Sequence, residues 1–158
     1  MSLNLSNFDI IEKIGEGGFG EVFKIKDKNT QIIYAAKVSF HSLKNESMEM
    51  IRNLSREIKI ISSLNYPSIL RFIGYCPNNF KNKPKPVIVT EYMPNGSLND
   101  LIILERKGLC KEEWNDTKKI INIYGMAAAM LYLHDNNIIH RDLKPDNILI
   151  DHDYRAYI

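Results

Sequence analysis

The sequence predicts an α+β chain, and three observations carry that prediction. Short runs rich in β-branched and aromatic residues fall at 8–14, 21–26, 31–40, 69–76 and 87–93, all before position 94. One long stretch with apolar residues at helical spacing, 46–64, interrupts them. Beyond position 94 the balance turns helical, with a capped start at Ser97 and a second long helix at 117–134. After that helix, residues 138–150 set His140, Arg141, Asp142, Lys144, Asp146 and Asn147 between apolar flanks. This pattern reads as short strand, polar functional loop, short strand, because buried polar groups cost free energy unless paired or used.

Bulk properties bound the function. The 158 residues suffice for one compact domain, and 44% hydrophobic residues permit a real core. A net charge of +2 is too balanced to argue for nucleic acid or an anionic membrane as partner. Cys76 and Cys110 lie far apart, with no second Cys or His at ligand spacing. They suggest neither a metal site nor a disulfide framework, and an intracellular protein is the simpler reading. The first residues lack the basic and apolar regions of a leader, and no apolar run is long enough to span a bilayer.

Taken in order, 8–14 is a strand and Gly15, Gly17, Gly18 and Gly20 break it. A second strand follows at 21–26, then a turn at 27–30 and a third strand at 31–40. The glycines therefore sit at the tip of a strand–loop–strand unit. A dinucleotide fold needs such glycines to open a helix, so the nicotinamide-dependent reading is disfavoured. A plain tight turn is the bland alternative. The functional one is close backbone approach to phosphate oxygens where no Cβ intervenes. On the third strand Ala35 and Lys37 share a face by period two. On the 46–64 helix Met50, Leu54, Ile58, Ile61 and Leu64 form an apolar stripe with Glu57 in its middle, so Glu57 expects a cationic partner. Residues 77–86 are an exposed loop whose lysines read as solvation. Ser97 and Asp100 have the spacing of a helix N-cap and its capping box. Within 117–134 the residues Ile120, Ile123, Tyr124, Ala127, Met130 and Leu131 recur at helical spacing, and Trp114 reads as core. Asp151 to Tyr154 is a hairpin turn before a last strand.

These motifs together resemble the eukaryotic protein kinases of serine/threonine type, in their tyrosine-kinase-like group. The resemblance runs from about Phe8 to the end and includes the glycine loop, strand lysine, helix glutamate, hinge-like VTEYMPNGSL and catalytic-loop HRDLKPDN. It implies a bilobal fold with a five-stranded antiparallel sheet in the small lobe. Residues 1–93 would form that lobe and the hinge, and 94–158 the first, mainly helical part of the large lobe. It further implies ATP and Mg²⁺ as cofactors and a protein substrate. Ile14, Gly15, Gly17, Gly20, Val22, Ala35, Lys37, Glu57, Thr90, Glu91, Met93 and Leu149 would surround the nucleotide. Phe19 would cap the glycine loop, and Glu57 would pair with Lys37. Asp142 would orient the acceptor hydroxyl, Lys144 would stabilise the γ-phosphate, and Asn147 would hold Mg²⁺. Lys144-Pro145 matches the serine/threonine form of the loop. The family's Asp-Phe-Gly, activation loop and remaining helices have no counterpart in these 158 residues. The chain therefore resembles a kinase fragment, expected to be inactive by itself. A non-catalytic pseudokinase or scaffold is the alternative.

Overall fold

The structure is a computed structural model that describes residues 2–18, 20–44 and 47–158, with every side chain except that of Met50. The expectations for Phe19, Glu46 and the Met50 side chain lie outside the described residues. The chain divides into two compact units, Met1–Leu64 with Arg71–Tyr92 and Asn65–Leu70 with Met93–Ile158.

The first unit is built on an antiparallel sheet of strands β1 (Phe8–Gly17), β2 (Gly20–Asp27), β3 (Ile33–Ser39), β4 (Phe72–Cys76) and β5 (Val87–Glu91), in the order β1-β2-β3-β5-β4. Helix α1 (Met48–Ser63) leads from β3 towards β4. Alternation along the strands sorts the faces. Ile25, Ala36, Val38, Val87 and Val89 turn inward to the core, with Ala36 opposite Val89 and Val38 opposite Val87. Phe8, the first residue of β1, and Leu5, from the segment ahead of the sheet, complete that core, and Leu5–Asn7 makes one turn of 3-10 helix. No hydrophobic pattern signals that turn. It is fixed by Asn4, whose side-chain oxygen accepts from the Ser6 amide at 3.1 Å. The turn after β2 is set by Asp27, whose carboxylate accepts from the Asn29 and Thr30 amides, both at 2.8 Å. Those bonds hold its carboxyl below the usual range.

The second unit holds α2 (Leu98–Arg106), α3 (Asp116–Asp135) and a two-stranded pair, β6 (Leu149–Ile150) and β7 (Ala156–Tyr157). Leu101, Trp114, Ile148, Ile150, Tyr154 and Ala156 form its core. Ser97 caps α2 in a reciprocal box with Asp100, as the spacing predicts. The strand expected at Ile138 and Ile139 does not form. Asn137 takes a left-handed φ of 58°, and the Ile138 amide donates back to the Leu133 carbonyl at 2.8 Å. That backbone closes the end of α3 and is not available to a ladder.

Helix α3 is apolar around most of its circumference, so periodicity could not say which face is covered. The face that packs carries Asn122, Ala129 and Leu133. Ile120, Ile123, Tyr124 and Leu131, the stripe legible in the sequence, are 61–78% exposed. Asn122 explains the choice. Buried, it donates to the Tyr154 carbonyl at 2.8 Å and accepts from the Ala156 amide at 3.0 Å, fastening α3 to the β6–β7 turn. Asn122→Leu would leave a buried donor and a buried acceptor unpaired, at about 1–3 kcal/mol each. A clear fall in thermal midpoint is expected, and an unchanged midpoint would contradict the anchoring role. Among the described residues no helix is long and apolar enough to cross a membrane.

Candidate active site

The candidate residues fall into two groups, one in each unit. In the first unit the strand register gathers them. Residues directly opposite across an antiparallel pair share a face. Gly15 lies opposite Val22, and Val22 opposite Lys37, forming one row across β1, β2 and β3. Ala35 lies opposite Thr90 and extends the neighbouring row into β5. Gly15, Val22, Ala35, Lys37 and Thr90 thus occupy one face, opposite the core face of Ala36 and Val38. Ile14 sits at a register irregularity of β1 and is exposed. Glu91 ends β5, and its carboxylate accepts from the Arg71 amide at 2.7 Å.

The glycines divide by what surrounds them. A Cβ on Gly17 would meet nothing within 4 Å, so Gly17 borders open space. On Gly20 a Cβ would stand 2.2 Å from the Val38 carbonyl oxygen. Gly20 is therefore required by the close approach of β3, a reason independent of any phosphate.

Glu57 departs from its expected setting. The half-buried stripe of α1 runs through Ile51, Leu54, Ile58 and Ile61, and Glu57 lies at its edge, exposed. The ion pairs of the described residues include none between Glu57 and Lys37. Ile51, which the sequence reading left out, is half-buried and widens the stripe on the side away from Glu57.

In the second unit the polar loop is held from both sides. The Leu98 amide donates to the Ile148 carbonyl at 2.7 Å, and the Ile150 amide to the Gly96 carbonyl at 2.9 Å. Leu149 is thereby fixed in β6, half-buried and bridged to Ser97. Met93 is buried, and its carbonyl accepts from the Gly96 amide at 3.3 Å. Pro145–Asn147 forms a 3-10 turn, and Asn99 of α2 donates to Asp146 at 3.1 Å. Asp151, which the sequence suggested only as turn, is the buried anchor of the hairpin. It accepts from the Asp153 and Arg155 amides and from the Tyr157 hydroxyl.

Within that frame Asp142, Lys144 and Asn147 meet. Asn147 Nδ2 donates to both the backbone carbonyl and the carboxylate of Asp142, each at 2.8 Å. Lys144 Nζ stands 3.2 Å from the same carboxylate oxygen. Asn147's amide oxygen accepts no protein hydrogen bond among the described residues, and oxygen is the donor type Mg²⁺ takes. Arg141 holds a left-handed φ of 65°, a strained conformation for a residue with a Cβ. His140 Nδ1 is shielded from solvent without a partner among the described residues.

The Asn147 hydrogen bond, then the Lys144 contact, hold the Asp142 carboxyl below the usual carboxylate range. A depressed pKa of this kind adds stability above the unfolded value near 3.9, and loses it as pH falls through the folded value. Asn147→Ala removes the larger cause. The Asp142 titration, followed by its carboxyl carbon shift, should move to higher pH. An unmoved midpoint would refute the assigned cause.

The sequence matches the protein kinase domain family over residues 8–158. It is 34% identical over 148 residues to an Aurora kinase of Patiria pectinifera, covering 94% of this chain and 34% of that protein. It is 36% identical over 154 residues to an Aurora kinase of Saccharomyces cerevisiae, covering 94% and 38%. A G-type lectin S-receptor-like serine/threonine-protein kinase of Arabidopsis thaliana is 35% identical over 161 residues, covering 100% and 18%. The chain thus spans 34–38% of the length of those Aurora relatives. The narrower resemblance to the tyrosine-kinase-like group is not supported, because Aurora kinases belong to a different group. With the family matched from Phe8 onward over a five-stranded antiparallel sheet and a helical second unit, the chain belongs to the protein kinase family, on its serine/threonine side.

Proposed function

We propose that the protein containing these residues transfers the γ-phosphate of ATP to serine or threonine hydroxyls of protein substrates inside the cell. The observation that carries this reading is the triad in which Asn147 and Lys144 both contact the Asp142 carboxylate. Residues 1–93 would bind the nucleotide and 94–158 would supply the catalytic loop. The phosphates lie under Gly15, Gly17 and Gly20, with Lys37 reaching them from the shared face. The base rests against Val22, Ala35 and Leu149, and meets the backbone of Glu91 and Met93 near Thr90. Glu57 swings to Lys37 when the site is engaged. Asp142 accepts the proton of the acceptor hydroxyl, whose oxygen bonds to the γ-phosphorus as the bond to the bridging oxygen of ADP breaks. Lys144 offsets charge on the transferred group. Mg²⁺, when bound at Asn147, neutralises the phosphates.

One neutral amide oxygen is a sparse magnesium site, so these 158 residues by themselves are expected to transfer no phosphate. The test uses the whole protein with a peptide library containing Ser, Thr and Tyr acceptors. Magnesium-dependent transfer to Ser or Thr, abolished by Lys37→Met, is the expected result. Predominant phosphotyrosine, or full activity in Lys37→Met, would overturn the reading.

A further inference from the structure

The row beside Gly15, Val22 and Lys37 contains a lysine that the kinase reading does not use. Glu12 lies opposite Lys24, Lys24 opposite Ala35, and Ala35 opposite Thr90. Lys24 therefore shares the face that carries Val22, Ala35 and Lys37. Its ammonium group has two neighbours. It stands 5.1 Å from the centre of the Tyr92 ring and 3.1 Å from Glu12 Oε1, and its side chain is only 25% exposed. Tyr92 is two residues beyond Thr90, just past the end of β5. A cation within about 6 Å of a tyrosine ring is attracted by the negative charge of its face. Three residues from β1, β2 and the segment after β5 are thus linked at the same end of the sheet, next to the row of Ala35.

We propose that Lys24 is a positioning residue for the nucleotide base, acting through Tyr92. Glu12 restrains the long lysine side chain, the ammonium group fixes the Tyr92 ring, and the ring forms the outer edge of the space over Ala35. A flat, uncharged base lying on Ala35 meets that ring. A mobile ring would have to be ordered on binding, which lowers affinity. The inference rests on the nucleotide reading given above. It differs from it in assigning affinity to a residue that touches neither phosphate nor acceptor.

The geometry makes a graded prediction. Lys24→Met and Tyr92→Leu should each raise KM for ATP by about threefold, the scale of an exposed cation–π contact. Neither should change kcat or KM for the peptide. Tyr92→Phe keeps the ring face and should behave as the parent, and Lys24→Arg should rescue most of the loss. The double variant Lys24→Met with Tyr92→Leu should be no worse than Tyr92→Leu alone, because Lys24 acts only through that ring. The measurement is made on the whole protein, with steady-state kinetics and direct titration of a fluorescent ATP analogue. Parent protein that binds the analogue while Lys24→Met binds it equally well overturns the positioning role and leaves the nucleotide reading standing. Parent protein that binds no nucleotide overturns both. A loss in Tyr92→Phe equal to that in Tyr92→Leu would assign the effect to the hydroxyl and refute the cation–ring contact. Equal thermal midpoints across the series exclude a merely structural effect.

Discussion

Asp142→Asn in the whole protein is expected to lower phosphate transfer by about 10²–10⁴-fold, the usual contribution of a positioned acid–base group. Nucleotide affinity should be unchanged. The carboxylate is bound by Asn147 and faced by Lys144, so it is aimed and kept ionised. The amide that replaces it is nearly the same size and can still accept from Asn147. What it cannot do is take the hydroxyl proton. The side chain is 65% exposed, so the fold does not depend on it. Two measurements separate the possibilities. Titration with a non-hydrolysable ATP analogue reports binding, and single-turnover transfer to a peptide reports chemistry. If the variant transfers phosphate within a few-fold of the parent, Asp142 is not the group that handles the proton. If it loses nucleotide binding as well, its role is structural.

How much of this was legible in the sequence depends on which physical signal each element carries. Strands β2 and β3 follow from alternation, because their two faces meet different surroundings. The same alternation placed Ala35 and Lys37 together, and the register then brought Val22 and Thr90 to them. The register also brought Lys24 beside Ala35, a pairing between strands that alternation within one strand does not reveal. The cap of α2 was legible because Ser97 and Asp100 have fixed chemistry at fixed spacing. Glu57 was not, since Ile51 widens the apolar stripe of α1 on the side away from it and leaves Glu57 at the edge. The first turn at Leu5–Asn7 and the buried Asp151 were missed for another reason. Each is stabilised by side chain to backbone bonds that leave no hydrophobic pattern. The triad of Asp142, Lys144 and Asn147 was legible by resemblance, but the bonds that join it are a product of the 3-10 turn at Pro145–Asn147.

The 158-residue chain expressed by itself is expected to bind a hydrophobic dye and to associate. The reason lies in α3. Ile120, Tyr124 and Leu131 fall at positions i, i+4 and i+11, so they form one stripe, with exposures of 67, 78 and 61%. Ile121 and Ile123 widen it at 54 and 63%. Scattered exposed apolar residues are ordinary, but a contiguous run of this kind is a sticky surface in water. The opposite face is already occupied by Asn122, Ala129 and Leu133, so the helix cannot rotate to hide the stripe without unpairing Asn122. Replacing Ile120 and Tyr124 by Lys tests this directly. Both positions are in solvent, so the fold should tolerate them with changes within about 0.5 kcal/mol each. Dye binding and oligomer formation, read by fluorescence and by light scattering during gel filtration, should fall sharply. Replacing the pair Ile10 and Ile11, exposed apolar residues of β1, by Lys serves as the control at another surface. If the control lowers association as much as the α3 variant, the stripe is not its cause. If the unaltered chain is monodisperse and binds no dye, the exposed face of α3 is not sticky in solution.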